Sequence, residues 1–405
     1  MESDPGFLSL TPADRRLAQE LVYGVMRQRA TLDWIISRRT EGRPQKPALL
    51  DILRLGLYQL FYLDRIPAHA AVHETVELAR ESGFPQQAGF VNAVLRGCDR
   101  DRVQLRTDLS KLAIVDPATA WSHPKWLVDR WRGQFGKPGL LKLLEWDNSP
   151  PPTFVRVNRL KTTPEALNER WKAEGVVALP IDHDWIPAGT AYHLVSHPPL
   201  ATLGSFVDGG FYVQDPSTHL AIQALDPQPG ESILDFCAAP GGKCSHIADR
   251  MSNNGRVVAH DNSSSRLRLV TENCTRLGVT CVTPVSPPAI PGEAGAFDRV
   301  LLDAPCSNTG VLRRRLELRW RIQAEEITRL AETQFRLLCR VSEFVRPGGV
   351  LVYSTCSLEA EENAGVVKAF IGGSTQFEVI NQRQIDPVRD GVDGAFVATL
   401  VRKNP

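Results

Sequence analysis

The stretch Ser232-Ile233-Leu234-Asp235-Phe236-Cys237-Ala238-Ala239-Pro240-Gly241-Gly242-Lys243 decides the fold. Ile233, Leu234 and Phe236 make an apolar run suited to a buried strand. Ala238 and Ala239 are small, and Gly241-Gly242 let a backbone pass close to a ligand. Lys243 to Met251 then reads as a helix. A strand, a glycine turn and a helix N-terminus make the usual cofactor corner of an open α/β sheet.

Outward from that corner the pattern continues as βαβα. Arg256 to Asp261 reads as a second strand ending in an acid, and Thr280 to Val285 as a third. Phe297 to Leu302 is a fourth, running into Asp303-Ala304-Pro305-Cys306, and Val350 to Ser354 a fifth, running into Thr355-Cys356-Ser357. The intervening helix carries Leu267, Val270, Cys274 and Leu277 on one face and stops at Gly278. Another spans Ala324 to Phe344, and Ala395 to Val401 closes the chain as an antiparallel strand. Polar groups at the C-terminal ends of successive strands are what an open α/β enzyme requires.

The first third of the chain has no strand pattern. Thr11-Pro12-Ala13-Asp14 opens a helix with a threonine cap and proline at its first position. Thr31 to Arg38, Pro47 to Tyr62, Ala70 to Ser82 and Gln87 to Arg96 follow as further helices. A tryptophan-rich connector leads to Ser149-Pro150-Pro151-Pro152, a stiff boundary. Thr153 to Asn158 then alternates like a strand, Thr163-Pro164-Glu165 starts a helix, and Phe206 to Val213 reads as short β structure. The organisation expected is therefore multidomain α and α/β. Residues 1–135 form an all-α bundle, 136–210 a connector and small α+β module, and 211–405 a Rossmann-like cofactor domain.

Composition bounds the function. The net charge of +1 over 405 residues excludes a global basic field, so any polyanion must meet a local patch. No apolar run is long enough to span a membrane, and the N-terminus lacks the pattern of a signal peptide, so a cytoplasmic protein is expected. None of the eight cysteines forms a CxxC pair, which argues for thiols and against zinc. His69 and His73 lie four apart on a helix with no third ligand nearby, so no metal is expected. Arg27, Arg29, Arg38, Arg39, Arg43 and Lys46 are either a solvated face or an RNA-facing one. Arg313-Arg314-Arg315 with Arg319, Trp320 and Arg321 follow the Asp303 loop closely, and substrate contact is the preferred reading of that run.

Three cofactors compete for the opening corner. A phosphate loop needs GxxxxGK followed by Ser or Thr, but Ala238 and Cys244 stand at its first and last positions. A dinucleotide fingerprint needs GxGxxG, which is absent. S-adenosylmethionine needs a close backbone turn for its amino-acid end and an acid for its ribose hydroxyls. Asp261 stands where that acid belongs.

Two resemblances sharpen this reading. Arg16-Leu17-Ala18, Leu21 to Val25, Leu53 to Leu60, Pro67 to Val72 and Val91 to Arg96 are similar to the NusB family of RNA-binding helical domains. Asp235 to Lys243, Asp303-Ala304-Pro305-Cys306-Ser307 and Ser354-Thr355-Cys356-Ser357 with Glu361-Glu362-Asn363 closely resemble the RNA cytosine-C5 methyltransferases. Together they resemble that family's bacterial 16S ribosomal RNA type, spanning essentially the whole chain. The resemblance implies S-adenosylmethionine as cofactor, ribosomal RNA as partner, a monomer, and C5 of cytosine 967 as the family target.

The chemistry explains the residue types. C5 of cytosine is a weak nucleophile; a thiolate added at C6 turns the ring into an enamine with carbanion character at C5. Cys306 and Cys356 are both placed for this, and the residues alone leave the choice open. The resemblance assigns the nucleophile to Cys356, product release to Cys306, and a bridging role between base and methyl donor to Asp303. It assigns the cofactor to Cys237, Ala238, Ala239, Pro240, Gly241, Gly242 and Lys243, with Asp261 and Asp303. Cys237 should shape the pocket, and Lys243, at a helix start its charge does not favour, is either solvated or held by a ligand or an aspartate. One departure stands out: the family places a further acid after the third strand. Val282 to Ala289 contains none, with Ser286 nearest the matching position.

Overall fold

The computed structural model describes residues 4–287 and 293–404. Met1 to Ser3 of the N-terminal reading, and Pro288 and Ala289 of the third-strand loop, lie outside the described residues. The chain forms two compact units, Met1–Ser149 with Arg313–Arg321, and Pro150–Leu312 with Ile322–Pro405.

The first unit is helical. Pro12–Arg27, Arg29–Thr40, Pro47–Tyr62, Ala68–Glu81, Ala88–Arg100, Arg102–Val115 and the kinked Lys125–Asn148 are its main helices. The Thr11 hydroxyl accepts the Asp14 N–H at 3.2 Å, as its cap position requires. Leu53, Leu57, Val91 and Leu95 are fully buried in one core, each contributing about 1.5–3 kcal/mol of apolar burial. Gly24 is fixed by packing, since a Cβ there would lie 1.9 Å from the Tyr58 ring.

The basic cluster in this unit is largely paired. Arg38 meets Asp108 at 3.1 Å, and Arg39 bonds Asp101 and donates to the Gly97 carbonyl. Arg27 is buried, and burial lowers its guanidinium pKa. His69 and His73 are both exposed, and among the described residues no group of three or more His, Cys, Asp or Glu could hold a metal.

Within residues 313–321, Arg313, Arg319 and Trp320 depart from the substrate-contact reading, whereas Arg315 and Arg321 are exposed. Arg313 and Arg319 are buried within the helical unit. The Arg313 guanidinium lies 3.8 Å from the Trp146 ring centre. Arg319 donates to the carbonyls of Arg27 (3.1 Å), Ser122 (3.3 Å) and Asp147 (2.8 Å) and to Asn148 Oδ1 (2.7 Å). Trp320 Nε1 donates to the Met26 carbonyl at 3.4 Å. These side chains close helix ends whose carbonyls would otherwise be unsatisfied. Removing a buried, multiply bonded guanidinium costs roughly 3–5 kcal/mol, so Arg319→Ala should speed amide exchange across Lys125–Asn148. Unchanged exchange would refute this structural role.

The second unit holds two sheets. The smaller has the order β2-β3-β1-β4, from β1 (Thr153–Val157), β2 (Val177–Pro180), β3 (Ala191–Ser196) and β4 (Phe211–Val213). The helix Pro164–Ala173 packs Leu167 and Trp171 against it. Only Phe211–Val213 of the expected 206–213 β segment is a strand; Gly204–Val207 is a helical turn.

The larger sheet has seven strands in the order β10-β11-β9-β8-β5-β6-β7. These are β5 (Ser232–Phe236), β6 (Arg256–His260), β7 (Val282–Val285), β8 (Phe297–Asp303), β9 (Val345–Thr355), β10 (Phe377–Ile385) and β11 (Ala395–Arg402). β5 to β9 run parallel; β11 pairs antiparallel with β9, and β10 pairs antiparallel with β11, so β10 runs in the same sense as β9. The order reverses at β5, with β6 on one side and β8 on the other, which is where an open α/β sheet binds ligands. β10 was not expected from sequence. It is an edge strand of mostly polar residues with a bulge between Val379 and Asn381. No described helix is long and apolar enough to cross a membrane.

Candidate active site

Register brings the predicted residues together. Asp303 at the end of β8 is paired with Ser354 near the end of β9. The loops bearing Cys306 and Cys356 therefore leave the sheet side by side, and their sulfurs lie 3.3 Å apart. Cys356 Sγ also donates to Asn308 Oδ1 at 3.2 Å. The bond to Cys356, together with burial, pushes the Cys306 thiol well above its usual pKa.

A polar network under the two loops fixes this approach. Glu362 accepts the Ser307 N–H at 2.8 Å, the Gln334 amide at 2.8 Å and the Ser357 hydroxyl at 3.2 Å. Asn363 donates to the Ser357 carbonyl at 2.9 Å and accepts from the Thr355 hydroxyl at 2.6 Å. The Gly310 N–H donates to the Cys356 carbonyl at 2.9 Å; a Cβ at Gly310 would come within 2.8 Å of that oxygen. Glu362 and Asn363, read from sequence only as part of a motif, are thus the anchors of both cysteine loops.

Beside the cysteines, β5 runs into the glycine turn. Gly241 has φ +105° and precedes the helix Gly242–Arg250. Cys237 has φ +70°, and burial pushes its thiol up to about 12 with Asp303, Asp261 and Asp235 adding to the effect. It shapes the turn as a neutral thiol.

Lys243 resolves to an aspartate partner, its Nζ lying 2.6 Å from Asp303 Oδ2. Burial opposes its charge, but Asp303 outweighs it and the ammonium pKa is raised. Cys356 lies within electrostatic range of the same ammonium.

Asp261 is buried at the end of β6 and accepts the Ala239 N–H at 3.2 Å and the Ser263 N–H at 3.0 Å. Arg266 stands 3.6 Å away and donates to the Ala239 carbonyl at 2.7 Å. Asp261 therefore holds the turn in place, with acceptor capacity left on both oxygens.

The adjoining cavity, about 250 Å³, is bounded by the 237–240 turn, Gly242, Lys243 and Asp303, which the sequence placed at the site. It is also bounded by Tyr212, Gln214 and Asp215, which the sequence did not. They arrive from β4, in the module upstream. Asp235, too, lines the cavity, fully buried. Its oxygens make no hydrogen bond of good geometry, and the Cys244 N–H stabilises its charge only slightly. Burial, reinforced by Asp303 and opposed by Lys243, pushes this carboxyl up to about 8.

S-adenosylmethionine fits these residues. A buried carboxyl with no hydrogen bond of good geometry suits a cationic ligand, and the small turn residues admit close backbone approach. A cationic ligand favours the ionised form of Asp235, so binding below pH 8 must expel its proton. Affinity for S-adenosylmethionine should therefore tighten as pH rises towards about 8, by up to tenfold per unit, and level off above. Titration calorimetry in buffers of different ionisation heat reads the proton directly; binding without proton release at pH 7 would refute it. After the third strand, the described residues 282–287 carry no carboxylate, and Ser286 is half-buried.

Comparison with known proteins places this geometry. A family model for the 16S rRNA methyltransferase RsmB/F matches residues 222–401. A NusB family model matches residues 4–100, and an RsmF/B-like ferredoxin-like domain model matches 123–189. The probable ribosomal RNA small subunit methyltransferase B of Bacillus subtilis (strain 168) is 36% identical over 421 residues, 97% of this chain and 92% of that protein. The ribosomal RNA small subunit methyltransferase B of Vibrio cholerae is 37% identical over 407 residues, 98% of this chain and 91% of that protein. The crystal structure of a methyltransferase homolog from Pyrococcus horikoshii aligns with a TM-score of 0.62 at 30% identity, covering 71% of this chain and 98% of that one. On near full-length identity and on a site built at the sheet's switch point, the chain belongs to the S-adenosylmethionine-dependent RsmB/F family of 16S rRNA methyltransferases, with a NusB-family region at its N-terminal end.

Proposed function

We propose that this protein methylates C5 of a cytosine in 16S ribosomal RNA, the family's cytosine 967, through a covalent bond between Cys356 and C6. The observation that carries this reading is the pair of sulfurs 3.3 Å apart beside the Lys243–Asp303 ion pair. The helical N-terminal region is assigned to RNA binding on the same reading.

Cys356 attacks C6 as the thiolate, and the Lys243 ammonium favours that charge. The C6–S bond forms, and electron density moves to C5. Asp303, held by Lys243, would accept from the exocyclic amino group of the base and so orient the ring for the addition, while the Lys243 ammonium offsets the charge that builds. Bound S-adenosylmethionine supplies the electrophilic methyl group that the activated C5 accepts. The C5 proton must then leave so that the C6–S bond can break and return Cys356 as thiolate.

Cys306 is suited to take that proton. Its pKa is raised first by its bond to Cys356, then by burial. Once Cys356 is bonded to carbon, the first cause disappears, so Cys306 gives up its own proton to solvent more readily, and the thiolate it becomes takes the C5 proton as the C6–S bond breaks.

Bisulfite mapping of ribosomal RNA from cells with and without the gene tests the substrate. Loss of one protected 16S cytosine is expected; an unchanged pattern overturns the assignment.

A further inference from the structure

Arg156 in β1 is almost wholly buried and belongs to none of the motifs above. Its Nε donates to Gln214 Oε1 at 3.0 Å, its Nη1 to Asp249 Oδ2 at 3.1 Å and its Nη2 to Ser245 Oγ at 3.1 Å. Gln214 stands on one wall of the cofactor cavity, just after β4. Ser245 and Asp249 belong to the helix Gly242–Arg250, whose first residues form the opposing wall. The walls approach closely: a Cβ on Gly242 would lie 2.9 Å from the Tyr212 ring and 3.4 Å from Gln214 Nε2.

The bond to Arg156 also fixes the sense of the Gln214 amide. A guanidinium only donates, so the oxygen must face Arg156. The NH2 group is then turned towards Gly242, which lines the cavity with Gln214. We propose that Arg156 is a positioning residue for methyl transfer: it holds Gln214 with its amide donors in the cofactor cavity and ties that wall to the helix bearing Gly242 and Lys243. The group received by those donors is an acceptor on S-adenosylmethionine, such as its carboxylate. This rests on the cavity being the cofactor site.

The test measures dissociation constants for S-adenosylmethionine and for RNA, with the thermal midpoint, for Arg156→Lys, Gln214→Glu and the double variant. Arg156→Lys keeps a charge for Asp249 and releases the amide. Gln214→Glu keeps an acceptor for Arg156 and removes the donors. Each is expected to weaken S-adenosylmethionine binding roughly tenfold, with RNA affinity and thermal midpoint little changed. The double variant should be no worse than the weaker single one, since both remove one interaction.

Unchanged cofactor affinity in Gln214→Glu overturns the proposal, as do multiplicative effects in the double variant. A parallel fall in RNA affinity and midpoint with Arg156→Lys also overturns it. If Arg156→Lys does not fold, Gln214→Glu against Gln214→Asn reads the same donors, because Asn retains them and should bind better. Asp235→Asn separates the two readings. If it weakens the cofactor and the Gln214 variants do not, the clamp fails and the cavity stands. If neither weakens it, the cavity is not the cofactor site.

Discussion

Cys356→Ala is expected to abolish methyl transfer, roughly 10⁴-fold or more, while leaving S-adenosylmethionine affinity unchanged. The substitution removes the sulfur assigned to add to C6. It should not collapse the loop, because that loop is held by the backbone bond from Gly310 to the Cys356 carbonyl and by Thr355, Ser357, Glu362 and Asn363. Cys306→Ala is expected to behave differently. Addition still occurs, but the C5 proton has lost its acceptor, so enzyme and RNA accumulate as a covalent complex stable to denaturation. Gel electrophoresis under denaturing conditions distinguishes the two. A retained complex with Cys356→Ala rather than Cys306→Ala would exchange the two roles.

Lys243→Met should lower kcat by about 10²–10³-fold, the range for removing one preorganised charge from a reacting site. Lys243 is the cation that faces Asp303 at 2.6 Å and lies in electrostatic range of Asp235 and Cys356. Its loss leaves Asp235 and Asp303 as neighbouring acids with nothing between them, which raises the cost of forming the Cys356 thiolate. The pH profile reports this. The limb of kcat governed by thiolate formation should move to higher pH in Lys243→Met, and Asp303→Ala should partly reverse that movement by removing the unpaired acid. Single-turnover rates across pH provide the check; a limb that stays in place would show that Lys243 acts on the cofactor alone.

The central sheet was readable because its strands are apolar runs that end in chemistry. β5, β8 and β9 each carry buried Val, Ile, Leu or Phe up to the residue that enters the site. β10 was not readable: Phe377 and Ile385 are buried at its ends, but Asn381 and Gln382 between them face solvent, as an edge strand allows. Arg313 and Arg319 in the run at 313–321 misled for a related reason. Charge density in sequence suggests a surface, and only the fold shows that the Arg319 donors meet helix-end carbonyls. Asp261 was found by its place after the second strand, and its bonds to the Ala239 and Ser263 N–H groups, which also hold the turn, were not legible there. Gln214 and Tyr212 carried no signal, because their place in the cavity depends on how β4 packs beside a helix that begins nearly thirty residues later.

The most direct measurement uses 16S ribosomal RNA containing 5-fluorocytidine. Fluorine at C5 cannot leave as a proton does, so the adduct formed during methyl transfer cannot resolve. Incubation with S-adenosylmethionine followed by mass spectrometry of the RNA-linked peptide should place the bond on Cys356. No covalent complex, or a bond on Cys306, would contradict the account.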